Sequence, residues 1–207
     1  MFDGIIFDLD GTLWDATDMV AVAWEKVIND KTGFDIKISG DDLKKLFGRP
    51  LPVIIEALLP ELSEAQREDV LEVCTEAEYD ELKINPGKLY PNLVDTLKEL
   101  VKKYKLFIVS NCQAGYIELF LEVTGLAEYF TDYECPGRSG LLKADNNRLI
   151  VERNNLKNPV YVGDTMGDKE ASDKAGIPFI FASYGYGDVD DYYSKIESFD
   201  ELAKILM

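Results

Sequence analysis

A chain of 207 residues with 46% hydrophobic side chains has enough apolar material for a sizeable core, in one domain or two small ones, which excludes a disordered chain. No apolar run approaches the ~18 residues that span a bilayer, and a net charge of −17 excludes a general nucleic-acid surface, where cationic side chains must meet phosphates. The complete absence of histidine removes Ser-His-Asp and Cys-His nucleophile systems and histidine zinc sites, leaving acid–base chemistry to carboxylates and lysine. The N-terminus runs straight into the segment "GIIFDLDGTLWD" (4–15) without a basic n-region or an h-region. That predicts a cytoplasmic protein with no membrane partner. The apolar run of this segment reads as a buried strand, and Asp8 and Asp10 stand where it ends. Two carboxylates held there repel each other and resist dehydration, so a cation is expected beside them.

Residues 15–85 contain no convincing strand and read as an all-helical insert. Val20, Trp24, Val27 and Ile28 form one helical stripe. "SGDD" opens a helix with Ser39 as N-cap and Asp42 at N3, and "SEAQ" at 63–66 opens another that runs towards Leu82. Pro50, Pro52 and Pro60 bracket a short helix containing Ile54, Ile55 and Leu58. Gly48 is expected to end the helix before it and turn Arg49 outwards, where a guanidinium can grip a second phosphate or a carboxylate. "NPGKLYP" (85–91) is a returning loop.

Alternation of strand and helix then takes over. Apolar runs at 105–111, 159–164 and 177–183 match the first in Ile, Val and Phe content, and a weaker strand lies at 131–135. Helical patterns cover 92–103, 115–124, 145–155 and 167–175, with Gly125 and Gly176 as C-caps. Near-continuous apolar strands are covered on both faces, so the expectation is an α/β fold with a doubly wound, mainly parallel, Rossmann-like sheet. The division is 1–14 with 86–207 as the α/β core and 15–85 as the helical unit. Cys74, Cys112 and Cys135 are widely spaced and odd in number, which fits reduced, buried thiols.

Open α/β sheets bind ligands at the carboxyl ends of their strands. Asp8 and Asp10, then Ser110 and Asn111, then Asp164 with Asp168 occupy those ends. Taken singly, Asn111, Asp164 or Thr165 reads equally well as a helix cap. Lys143, just ahead of a helix expected from Asp145, opposes the helix dipole, and a phosphate bound between it and backbone N–H groups resolves the conflict. "DLDGT" has four fixed residues that arise by chance in a chain this long roughly two times in a thousand. An EF-hand is excluded, since its sixth and twelfth positions hold Leu13 and Met19 in place of Gly and Glu.

These motifs resemble those of the haloacid dehalogenase-like hydrolases, in particular the phosphoglycolate phosphatase and β-phosphoglucomutase branch. "DLDGTL" is similar to the first family motif, "VSN" to the second, Lys143 to the third and "GDTMGD" to the fourth. The resemblance covers essentially the whole chain and places a cap domain at 15–85. It implies a Mg²⁺-dependent phosphatase that hydrolyses a small phosphorylated metabolite through an aspartyl-phosphate. Asp8 would be the nucleophile, Asp10 the acid–base, and Lys143 the neutralising cation. Ser110, Asn111 and Thr12 would hold phosphate. Magnesium would sit on the Asp8 carboxylate, the Asp10 main-chain carbonyl and Asp164, with Asp168 a ligand directly or through water. Arg49 and Asp15 are the candidate specificity residues near the cap. One departure is Ala144 where many relatives have proline after the motif lysine. "YGYG" (184–187) resembles the family's glycine-rich loop, and a plain surface turn is an equal reading. The alternative within enzymes is a phosphomutase of the β-phosphoglucomutase type. A receiver-like phospho-accepting module lacks the second carboxylate and the insert, and an inactive scaffold should have lost motif residues.

Overall fold

The structure is a computed structural model that describes residues 2–206. Strand β1 (Gly4–Phe7) is followed by the two-residue β2 (Trp14–Asp15). Four helices come next: α1 (Thr17–Thr32), α2 (Gly40–Lys44), α3 (Leu51–Leu58) and α4 (Glu64–Ile84). The chain returns through β3 (Lys88–Leu89) to α5 (Leu93–Leu100), β4 (Lys105–Val109) and α6 (Tyr116–Thr124). A short 3-10 turn at Ala127–Tyr129 leads to β5 (Asp132–Glu134), α7 (Pro136–Ser139), α8 (Lys143–Arg153) and β6 (Pro159–Gly163). Helix α9 (Met166–Ala175), β7 (Phe179–Ala182), β8 (Ser194–Ile196) and α10 (Glu201–Leu206) complete it.

Six strands form one sheet in the order β5-β4-β1-β6-β7-β8, and every neighbouring pair is parallel. Sheet residues alternate between two apolar layers, as a pleat of period two requires. Ile5 and Phe7 join the larger cluster, whereas Ile6, Phe107 and Tyr161 join a second cluster with Ile150 and Phe179. The larger cluster does not stop at the sheet. It continues through Leu13 and Trp14 into Trp24, Val70 and Leu82 of the helical insert. Each such buried side chain stabilises the fold by about 1.5–3 kcal/mol relative to exposure, so the helices are fixed to the sheet by apolar contact as well as by chain connection.

The local signals mostly act where expected. Ser39–Asp42 and Ser63–Gln66 are complete capping boxes, with side chain and backbone bonded reciprocally. Gly125 and Gly176 end α6 and α9 in the left-handed conformation. Three details differ from expectation. The segment 85–91 reads as a plain loop, yet Lys88–Leu89 pairs antiparallel with Trp14–Asp15 across the base of the insert, which itself carries no strand beyond Asp15. Two residues per strand leave no readable apolar run. Helix α2 ends at Lys44, not at Gly48, which instead closes a separate turn with φ +86° and leaves Arg49 exposed. Lys143 is the first residue of α8, not a residue ahead of it. Among the described residues no helix is long and apolar enough to cross a membrane.

Candidate active site

The sheet register brings the scattered motifs together. Phe7 pairs with Ile108 on one side and Val162 on the other. The next residue along each strand end is therefore Asp8, then Ser110 after Val109, and Asp164 after Gly163. Asp8 N–H continues the ladder to the Val162 carbonyl at 2.9 Å. The backbone then turns sharply at Gly11, whose φ is +81° and where a Cβ would lie 2.2 Å from Asp164 Oδ2. Only glycine fits that approach. Gly185 packs beside it, where a Cβ would lie 2.3 Å from Asp164 Cβ and 2.4 Å from the Gly11 carbonyl oxygen. Tyr186 N–H in that loop donates to Asp164 Oδ2 at 2.7 Å, so "YGYG" is part of the cluster and not a plain surface turn.

One carboxylate oxygen from each of Asp8, Asp164 and Asp168 lies within 4.8 Å of the others, and all three residues are buried. Lys143 Nζ donates to Asp8 Oδ1 at 2.7 Å and to Asp168 Oδ1 at 2.5 Å. Burial works against the lysine charge, but Asp168 and Asp8 outweigh it and hold its pKa above the ordinary range. Burial also raises Asp168, but Lys143 and the Thr165 hydrogen bonds outweigh that and leave it lowered. Asp164 is pushed well up by burial and by its two acidic neighbours, against the Tyr186 N–H and a 3.1 Å hydrogen bond from Thr12 Oγ1. Asp8 rises to about 6, through burial and then Asp168, with Lys143 opposing. Its Oδ2 is buried without a hydrogen-bond partner. An orphaned carboxylate oxygen costs free energy unless something binds it, and this donor set of hard oxygens suits Mg²⁺.

Asp10 occupies a different environment. Its Oδ1 accepts from Trp14 Nε1 at 2.9 Å and from Tyr116 Oη at 3.0 Å. Burial and then Asp8 push its carboxyl to about 7, tempered by those two donors. A carboxyl poised near neutrality can both give and take a proton.

Helices α1, α3 and α4 border this edge. Asp8, Asp10, Ser110 and Asn111 line one side of a narrow cleft with a volume of about 30 Å³, and Trp24, Arg49 and Glu78 line the other. Asn111 Nδ2 donates to the Gly48 carbonyl at 2.8 Å, linking the end of β4 to the turn before α3. Ser110 is buried at the cleft base. Thr12 is fully buried, with its hydroxyl on Asp164. Asp15 is engaged at the base of the insert, accepting from Thr17 N–H and Oγ1 and from Tyr186 Oη. Both oxygens of Asp168 are taken, Oδ1 by Lys143 and Oδ2 by Thr165 and the Asp164 N–H. Cys112 also lines the cleft, but burial and the adjacent Cys135 push its thiol well up, away from thiolate reactivity.

Sequence reasoning missed Glu78, Tyr116 and Gln113. Glu78 carried a signal. The buried stripe of α4 is Val70, Cys74, Glu78 and Leu82 at steps of four, so one acid stands in a row of apolar positions. Burial, and then Asp10, lift its carboxyl to about 8. Tyr116 carried none, since a helix-start aromatic reads as core.

A family model described as haloacid dehalogenase-like hydrolase matches residues 5–182. A phosphoglycolate phosphatase of Aquifex aeolicus is 30% identical over 191 residues, covering 88% of this chain and 85% of its own length. One from Vibrio vulnificus is 30% identical over 219 residues, covering 98% of this chain and 93% of its own. A haloacid dehalogenase-like hydrolase from Streptococcus pneumoniae superposes with a TM-score of 0.87 at 18% identity, over 100% of this chain and 99% of that one, which bears on the fold alone. With the fold, the strand-end carboxylates and these relatives in agreement, the chain belongs to the haloacid dehalogenase-like hydrolases, in the branch of the phosphoglycolate phosphatases, and is a phosphoric monoester hydrolase.

Proposed function

We propose that the chain is a Mg²⁺-dependent phosphatase that hydrolyses a small phosphomonoester through an aspartyl-phosphate on Asp8, with residues 15–85 serving as its cap. The observation that carries this reading is Asp8, which has one oxygen on Lys143 and the other buried and unpartnered at the cleft. The free oxygen attacks phosphorus in line, and the ester P–O bond breaks. Asp10 gives its proton to the departing alkoxide. It then takes a proton from water, whose oxygen attacks phosphorus and releases Asp8 and inorganic phosphate. The two carboxyls divide these tasks because their surroundings differ. Burial and Asp168 raise Asp8 only to about 6 because Lys143 opposes them, which leaves it mostly the anion at neutral pH, whereas burial and Asp8 lift Asp10 to about 7 against the Trp14 and Tyr116 donors.

The Asp8 carboxylate, the Asp10 main-chain carbonyl and Asp164 would hold Mg²⁺, which supplies charge stabilisation for the transferring phosphoryl group. Asp168, with both oxygens taken, orients Lys143 and would contribute to the ion only through water. Ser110 and the Asn111 backbone hold the phosphate oxygens, and Thr12 acts through Asp164. The relatives named above are phosphatases, which favours hydrolysis over a phosphomutase, and their names place 2-phosphoglycolate on the substrate panel. The test is release of p-nitrophenol from p-nitrophenyl phosphate. Turnover is expected with Mg²⁺, loss with EDTA and poor rescue by Ca²⁺, which prefers more ligands and looser geometry. Full activity in metal-free buffer overturns the reading.

A further inference from the structure

The two donors on the Asp10 carboxyl lie outside the four motifs. Trp14 follows the first of them, and Tyr116 is the first residue of α6. Both act on the same oxygen, with Trp14 Nε1 at 2.9 Å and Tyr116 Oη at 3.0 Å from Asp10 Oδ1. Among the described residues no donor reaches Oδ2, which is not sealed in the interior, and the carboxyl lines the cleft. One oxygen of Asp10 is engaged by the protein, and the other is left to the cleft.

These donors decide which oxygen can carry a proton. A carboxyl oxygen has two lone pairs, and both on Oδ1 are occupied. An indole N–H only donates, so Trp14 cannot become an acceptor. A tyrosine hydroxyl can accept, but if Tyr116 accepted from a protonated Oδ1, its own O–H would need another acceptor. Tyr116 is 1% exposed, and among the described residues Asp10 is the one partner of its hydroxyl. A buried hydroxyl stripped of its acceptor is strongly disfavoured, which confines the proton to Oδ2. Packing keeps the tyrosine in place. Its ring lies edge-on to Trp14, with centroids 5.9 Å apart, and to Tyr79 at 6.5 Å. Gly115, just before it, has φ +91°, and a Cβ there would lie 2.7 Å from Tyr79 Oη. The Tyr79 hydroxyl in turn donates to the Ala114 carbonyl at 2.5 Å.

We propose that Tyr116 is a positioning residue for proton transfer: together with Trp14 it pins Asp10 Oδ1, so that Oδ2 alone gives a proton to the departing oxygen and takes one back from the attacking water. In the first half-reaction the Oδ2–H bond breaks as the ester P–O bond breaks, and the proton goes to the leaving oxygen. In the second, an O–H bond of water breaks as its oxygen joins phosphorus, and the proton goes to Oδ2. Tyr116 acts through Asp10 in both. The proposal rests on the phosphatase reading and goes beyond it, naming the atom that carries the proton and the residue that fixes it.

Steady-state kinetics with Mg²⁺ on p-nitrophenyl, phenyl and benzyl phosphate test it, three esters of similar bulk whose leaving oxygens need a proton to a rising degree. The quantity read is kcat/KM, which compares free enzyme and ester with the transition state for transfer onto Asp8. Tyr116→Phe keeps the ring and loses the hydroxyl. In this variant the kcat/KM ratio of benzyl to p-nitrophenyl phosphate should fall about tenfold, the worth of one good hydrogen bond, with phenyl phosphate between them. A tyrosine that only fills space would lower all three esters together, so equal losses or an unchanged ratio overturn the proposal. If Tyr116→Phe does not fold, a crystal structure of wild type with Mg²⁺ and orthovanadate decides. The apical vanadate oxygen opposite Asp8 should lie within hydrogen-bond distance of Asp10 Oδ2, with Oδ1 still on Trp14 and Tyr116. An apical oxygen on Oδ1, or a Tyr116 hydroxyl turned away from Asp10, overturns the proposal. Wild-type turnover of the esters with an unaltered ratio in the variant removes the Tyr116 role alone. Failure of wild type on all three removes the phosphatase reading and this proposal with it.

Discussion

The two walls of the cleft handle charge in opposite ways. On the sheet side, three buried carboxylates crowd together, but Lys143 bridges Asp8 and Asp168, and Thr12, Thr165 and Tyr186 occupy most remaining oxygens. On the cap side, Glu78 is equally buried yet has one amide donor and no ion pair among the described residues. The sheet wall is held by its own partners and changes little with what enters. The cap wall leaves groups open for whatever enters. Chemistry that stays constant belongs on the first wall, and recognition that varies belongs on the second.

That contrast can be broken at the sheet wall with the largest effect. Asp8→Asn is expected to lower turnover by roughly 10⁴-fold or more and to leave no phosphorylated protein by intact mass after acid quench. A phosphoryl group still acquired by this variant would place the nucleophile elsewhere. Asp10→Asn removes the proton carrier and keeps the nucleophile, so turnover should drop about 10²- to 10⁴-fold. With an activated ester that needs no protonation, phosphorylation of Asp8 should outpace its hydrolysis, and labelled protein should accumulate. Near-normal turnover would show that these two carboxylates do not divide the work.

Changes at the cap wall should be smaller and selective. Arg49 is exposed, so an ion pair with substrate is worth at most about 1 kcal/mol. Arg49→Ala is expected to raise KM by about fivefold for the ester turned over best, and by less for p-nitrophenyl phosphate. Equal losses would place Arg49 in folding or in the chemistry. The smallest effect concerns stability. Glu78 holds its proton to about 8 in the fold against an ordinary 4.5. A raised carboxyl contributes stability that is fully present below the unfolded pKa and is lost as pH climbs through the folded one. Wild type should therefore lose melting temperature relative to Glu78→Gln between pH 5 and pH 9, by a few degrees. A constant gap across that range would mean that the acid is not desolvated.

Much of this was legible beforehand for a physical reason. Strands β1, β4, β6 and β7 are covered on both faces, so they appear as unbroken apolar runs, of which β1 and β6 end at the carboxylates Asp8 and Asp164 and β4 ends at Ser110. Strand β8, "SKI", lies at the sheet edge with only Ile196 buried, and it gave no such run. The core motifs are readable because their residues sit in fixed order along the chain. The cap wall is harder, because Glu78 belongs to a helix rich in acids, most of them solvated. Only its four-residue spacing from Cys74 and Leu82 sets it apart. Tyr116 and Gln113 reach the cleft through tertiary packing that no local pattern encodes.

The short ladder of Trp14 with Leu89 and Asp15 with Lys88 has a mechanical consequence. Two independent connections would let the helical unit swing, slide and twist against the sheet. Zipped side by side, they act as one pin and leave chiefly a single rotational freedom. The Asn111–Gly48 bond and the Tyr79 Oη bond to the Ala114 carbonyl both cross from core to cap. Together with the apolar cluster that runs from the sheet into the insert, they oppose that remaining rotation and hold the two walls of the cleft in register.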